Sequence, residues 1–232
     1  MNQVPANLNE GLQRYCEQLR ALGIEQLYLP PEALKLKPAG HEEALLALHD
    51  SIRDCTRCKL CQGRTQVVFG TGDPNAELVF VGEAPGADED RQGVPFVGRA
   101  GQLLTRMIAS MGLDRDQVYI CNVIKCRPPD NRNPERDEIA SCEPFLIEQL
   151  NLIRPQVIVT LGKFAAQTLL RTDTPISRLR GHWHEYQGIP LMPTFHPSYL
   201  LRGSQEKIRA EKLKVWNDLQ QVMAKLGLKR PS

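Results

Sequence analysis

Glu77-Leu78-Val79-Phe80-Val81-Gly82-Glu83-Ala84-Pro85-Gly86 is the stretch that decides the fold. A short apolar run bounded by a Gly/Pro turn reads as a buried strand feeding a shaped loop. The same rhythm recurs downstream. Residues 117–124, 156–161 and 188–195 read as three more strands. Between and after them lie helical patterns. One runs from Gly101 to Met111 and closes at Gly112. A second opens at Asn133-Pro134 and runs to about Asn151, with Pro134 at a tolerated first-turn position. A third follows Gly162 to Leu170, and a long amphipathic one covers residues 205–226. A further helix over 41–54 precedes the first strand. Alternating strands and helices imply an α/β domain with a mainly parallel, four-stranded sheet covered on both faces. Ligands in such sheets collect at the carboxyl ends of the strands.

Composition sets the outer bounds. A chain of 232 residues suits one sizeable domain with a short appendage. We expect the appendage at 1–40, where helical spacing from Leu8 to Leu22 is broken by Gly23, Pro30-Pro31 and Pro38; the main domain then covers 41–232. The hydrophobic fraction of 41% is ordinary, and no apolar run is long enough to cross a membrane. Met1-Asn2-Gln3-Val4-Pro5 shows no secretory pattern, so we expect a monomeric cytoplasmic protein, nucleoid-associated if prokaryotic. Net charge is +2, unevenly spread: residues 1–54 carry −3 and the remainder +5. A mildly basic domain permits a nucleic-acid partner without requiring one.

Seven cysteines in such a setting favour thiols and metal ligands over disulfides. Cys55-Thr56-Arg57-Cys58 is a Cys-x-x-Cys knuckle, and Cys126 and Cys142 complete a candidate four-thiolate set. Cys61 adds a competing thiol beside the knuckle; we read Cys61, Cys16 and Cys121 as small hydrophobes outside the set.

Three loops leave strand ends. Gly82 to Gly86, followed by Asp88-Glu89-Asp90, suits backbone close to a ligand, with Glu83 at its mouth. Asn122 ends a strand and offers an amide that both donates and accepts, matching an imide edge such as uracil O4 and N3–H. Thr194-Phe195-His196-Pro197-Ser198-Tyr199-Leu200 carries a His able to donate to a developing anion, with apolar groups beyond it. Taken singly, each has a plainer reading: a βα turn, a turn Asn bonded to backbone, and a loop whose apolar residues fold back onto the core.

Together they are more specific. The 82–86 loop, Pro95-Phe96-Val97-Gly98-Arg99-Ala100-Gly101, Asn122-Val123-Ile124-Lys125-Cys126-Arg127-Pro128-Pro129 and His196-Pro197-Ser198-Tyr199 closely resemble the iron–sulfur uracil-DNA glycosylases, often called family 4. The resemblance spans roughly 50–225. It implies a three-layer αβα sandwich that excises uracil from single- or double-stranded DNA. Carried over by position, Phe96 stacks on the flipped base and Asn122 reads its edge. His196 donates to uracil O2, and Glu83 with Gly82, Ala84, Pro85 and Gly86 places the hydrolytic water. Glu89 and Asn131 match further functional positions. Leu200, with Tyr199 beside it, would wedge into the duplex. Cys55, Cys58, Cys126 and Cys142 would hold a [4Fe–4S] cluster, with zinc the alternative. Some of Arg64, Lys125, Arg127, Arg132, Lys163, Arg180 and Arg202 should meet phosphates. His182 and His184, flanking Trp183, read as packing or surface groups.

Two other readings stand beside catalysis. One is a non-catalytic or covalently trapping uracil-DNA binding protein, disfavoured because no basic insertion with a nucleophilic His lies between Asn122 and Pro134. The other is a segment or partner of a phage-polymerase-like replication protein.

Overall fold

A computed structural model describes residues 40–229. The expected appendage over 1–40 and Cys16 lie outside the described residues, apart from Gly40.

The four expected strands are present and parallel. They are β2 (Leu78–Gly82), β3 (Tyr119–Asn122), β4 (Val157–Leu161) and β6 (Ile189–Thr194). Two short antiparallel strands extend the sheet to six: β1 (Thr71–Gly72) against β3, and β5 (His184–Tyr186) against β6. The order is β1-β3-β2-β4-β6-β5.

Period-two alternation sorts each strand onto two cores. Val79, Val81, Cys121 and Ile158 face one side. There they meet α1 (His41–Ile52), α4 (Arg136–Ile153) and α5 (Lys163–Leu170) through Leu45, Leu146, Leu150 and Ala165. Phe80, Ile120, Val157 and Val159 face the other. Their partners are Leu104 and Ile108 of α3 (Arg99–Ser110) and Leu219 and Val222 of α7 (Gln205–Lys225). Both faces are covered, so the four parallel strands read as mainly apolar runs. The short α2 (Ala87–Gln92) and α6 (Ile176–Leu179) complete the described helices of this unit. Among the described residues, no helix is long and apolar enough to cross a membrane.

α4 begins two to three residues later than the Asn133-Pro134 signal suggests. Glu138 explains this: its carboxylate accepts the Glu135 backbone N–H at 2.8 Å and both Arg132 guanidinium nitrogens at 2.9 and 2.6 Å. The capping box therefore closes on Glu135.

Register decides where the loops emerge. Gly82 pairs with Asn122, and Leu161 pairs with Thr194. The four parallel strands thus end together, and the loops beginning at Glu83, Val123, Gly162 and Phe195 leave from one edge of the sheet.

Candidate active site

Gly82 is the floor of the site. A Cβ there would lie 2.4 Å from Asn122 Oδ1 and 2.5 Å from Phe96 Cζ, so only a hydrogen fits. Asn122 is 1% exposed, and its Oδ1 is buried without a hydrogen-bond partner. Such an orphan acceptor costs about 1–3 kcal/mol in a folded protein. That cost is reasonable where a ligand donor will meet it.

Phe96 sits in the left-handed region at φ 55°, an unfavourable place for a side chain with a Cβ. Glu89 holds it there. One carboxylate oxygen accepts the Val97 and Gly98 N–H groups, each at 2.9 Å, and the other accepts Gly86 N–H at 3.1 Å. Glu89 therefore links the 82–86 loop to the Phe96 loop. Resemblance carried Glu89 over as a further functional, catalytic position; in the structure both of its oxygens are occupied by backbone N–H groups, which makes it a brace for the two loops.

The Phe96 ring lies 5.6 Å from the His196 ring, centroid to centroid. Ser198 N–H donates to His196 Nδ1 at 3.1 Å, and the Ser198 hydroxyl lies 2.8 Å from the same nitrogen. An Nδ1 that accepts puts the proton of the neutral ring on Nε2. Burial lowers the His196 pKa to about 4, with the Arg202 charge adding to the effect, so the ring is neutral near pH 7. Gly162, at φ 89°, makes room for it: a Cβ there would lie 3.0 Å from His196 Cβ.

Glu83 follows Gly82 directly. Burial raises its carboxyl pKa to about 7, and the Lys163 ammonium opposes the shift. A carboxyl poised near neutrality suits a general base. Pro85 is buried and Ala84 packs on the α4-side core, which fixes the loop between Glu83 and Gly86.

Other expected residues fall elsewhere. Asn131 is exposed, and its Oδ1 accepts Arg127 Nε at 2.8 Å. No described contact brings it to Phe96, Asn122 or His196. Leu200 is not an exposed tip. It is 1% exposed and packed in the α3/α7 core, because the 3₁₀ turn Tyr199–Leu201 turns it inward. Tyr199 is 39% exposed, with Lys207 Nζ 5.5 Å from its ring. Lys125 is also buried and unavailable to phosphate, and Arg180 is engaged with Asp218. Gly162, Ser198 and Lys163 join the site beyond the expected contacts. A glycine straight after a buried strand was the available signal for Gly162.

Cys55, Cys58, Cys126 and Cys142 line one pocket with Ile52, Val67 and Phe145. Lys125 N–H donates to Cys142 Sγ at 3.2 Å and Arg64 Nη1 to Cys126 Sγ at 3.4 Å. Donors aimed at sulfur suit thiolates bound to a cationic centre. Burial raises the Cys142 thiol to about 11, so without a cation it keeps its proton. Among the described residues no three His, Cys, Asp or Glu side chains converge on a single-ion position. Cys121 is fully buried in the core; Cys61 lies on the 3₁₀ turn Lys59–Gln62, outside the pocket lining.

The family model described as the Uracil DNA glycosylase superfamily matches residues 69–220. The chain belongs to the uracil-DNA glycosylase superfamily. Within that superfamily it is 45% identical over 170 residues to a type-4 uracil-DNA glycosylase of Thermotoga maritima, covering 72% of this chain and 88% of the relative. It is 43% identical over 197 residues to the type-4 uracil-DNA glycosylase of Archaeoglobus fulgidus, covering 80% and 96%. A DNA polymerase of Bacillus phage SP01 is 31% identical over 134 residues, 57% of this chain and 14% of the polymerase. The α/β sheet with helices on both faces agrees with superfamily membership.

Proposed function

We propose that this protein is a monofunctional uracil-DNA glycosylase. The observation that carries the reading is the orphan Asn122 Oδ1, buried above Gly82 and bordered by Phe96. Uracil N3–H supplies the missing donor, and the Asn122 amide N–H meets O4. Cytosine has an unprotonated N3 and an amino group at C4, so it fails at both contacts.

A base within a duplex hides its glycosidic bond, so the nucleotide must swing out. Unstacking costs a few kcal/mol, offset by stacking on Phe96 and by a side chain entering the gap. Tyr199 is the exposed apolar group suited to that task. As the C1′–N1 bond breaks, its electron pair moves into the base and charge gathers on O2. His196 Nε2–H donates there; a preorganised donor in a dry site contributes about 3 kcal/mol. Glu83 holds water near C1′ and takes its proton as the water oxygen bonds C1′. The products are free uracil and an abasic site.

Cys55, Cys58, Cys126 and Cys142 hold a [4Fe–4S] cluster in this reading. Four cysteines lining one pocket suit such a cluster, and the likeness to type-4 uracil-DNA glycosylases favours it over one tetrahedral zinc. The cluster supplies structural bracing, and no proton or electron of the hydrolysis passes through it. The DNA substrate implies work in the cytoplasm or nucleoid.

Excision from uracil-containing single- and double-stranded oligonucleotides tests the activity. Release of uracil by cluster-replete protein is expected; no product from either substrate overturns the proposal. The absorption spectrum of anaerobically purified protein tests the metal. A broad visible band supports the cluster, whereas colourless protein with stoichiometric zinc overturns it.

A further inference from the structure

Lys125 is 1% exposed, one of the largest fully buried side chains described. Its ammonium donates to the Asn122 carbonyl at 2.8 Å and to Gln149 Oε1. Gln149 is itself fixed, donating to Phe69 O at 3.1 Å and to Tyr119 Oη at 3.2 Å. Among the described ion pairs, none involves Lys125, and every hydrogen-bond partner of its ammonium is neutral. The Lys125 backbone N–H donates to Cys142 Sγ, and the residue lines the cysteine pocket.

We propose that Lys125 is a positioning residue: its buried ammonium is the counter-charge of the thiolate-bound metal centre and pins the backbone of Asn122. A buried ammonium without an anionic partner is expensive, because desolvation outweighs neutral hydrogen bonds. Four thiolates on a divalent core, whether one zinc ion or an oxidised [4Fe–4S] cube, leave a net charge of about −2. Such a centre would sit in the pocket that Lys125 itself lines. Backbone and side chain then work at opposite ends: the N–H meets a metal-binding sulfur, and the ammonium meets the residue that reads the base. The three-residue spacing from Asn122 to Lys125 lets the side chain turn back onto its own strand end. A misplacement of about 1 Å at Asn122 is enough to cost about 10²-fold in rate.

This inference rests on the proposed metal site and on the proposed uracil contact of Asn122. Wild-type protein is therefore measured first. Absence of metal there, or of excision, sinks those readings before any variant is compared. Lys125→Met and Gln149→Leu are then prepared anaerobically. Iron and sulfide content, cluster midpoint potential, and single-turnover excision as a function of DNA concentration are read on each. For Lys125→Met we expect excision at saturating DNA to fall about tenfold or more, with the half-saturating DNA concentration within about twofold of wild type. Its midpoint should shift negative, since losing a nearby cation disfavours the reduced cluster. Gln149→Leu should slow excision while leaving the midpoint unchanged, because the ammonium remains. Wild-type rate and midpoint in Lys125→Met would overturn the proposal. If Lys125→Met fails to accumulate folded, Gln149→Leu decides: slowed excision at wild-type melting temperature supports it, and wild-type excision overturns it.

Discussion

A methyl group added at Gly82 would strike Asn122 Oδ1 and the Phe96 ring at once. We expect Gly82→Ala to lose about 10²-fold in excision while keeping the visible band, as read by oligonucleotide cleavage and absorption. Asn122→Ala and His196→Ala should each lose about 10²–10³-fold with the metal retained. Wild-type rates would refute the assigned roles. The pH dependence follows from two shifts of opposite sign. The Glu83 pKa is raised to about 7, so its base form fills as pH climbs through that value. The His196 pKa is lowered to about 4, so its donor form is already complete and shows no loss as pH passes 6.5. Single-turnover excision should therefore rise from about pH 6 to a plateau above about pH 8, with no limb near the ordinary His value. A fall in rate between about pH 6 and 7 would instead indicate a protonated His196. Sequence pointed to Glu83, Asn122 and His196 as candidates because each is a polar residue at or just past the end of a buried apolar run. It did not show that Glu89 is consumed by three N–H groups, since Gly86, Val97 and Gly98 meet it only in the folded chain.

At the scale of elements, the His196 loop depends on how α7 grips β6. Asp218 accepts Thr194 Oγ1 at 2.6 Å and Arg180 Nε at 3.0 Å, and both Asp218 and Thr194 are fully buried. Asp218→Ala leaves the Arg180 guanidinium facing a void. We expect a loss of about 3 kcal/mol, seen as a lower urea midpoint at unchanged slope. The four parallel strands were legible because each is buried on both faces and so carries a mainly apolar run. β1 and β5 were not. Two residues at Thr71–Gly72 have no periodicity to read, and His184–Tyr186 is half-exposed and polar. The 3₁₀ turn after Ser198 hid the fate of Tyr199 and Leu200 for a similar reason. Adjacent apolar residues look alike in sequence, and a single turn sends one outward and the other into the core.

For the whole molecule, the cysteine pocket joins the segment after α1 to the loop that follows β3 at Cys126 and to α4 at Cys142. Cys142→Ser should bleach the visible band and lower the melting temperature by several degrees, measured by scanning calorimetry. Unchanged melting would mean that the metal does not brace the fold. The common edge of the four parallel strands has a temporal consequence as well. Glu83 and Asn122 come from the first half of the described chain, whereas His196 arrives only after β6 has joined β4. Asp218, which anchors β6, is later still. Under the proposed roles, a chain emerging from the ribosome therefore holds Glu83 and Asn122 long before His196, whose strand is anchored only when the last helix docks.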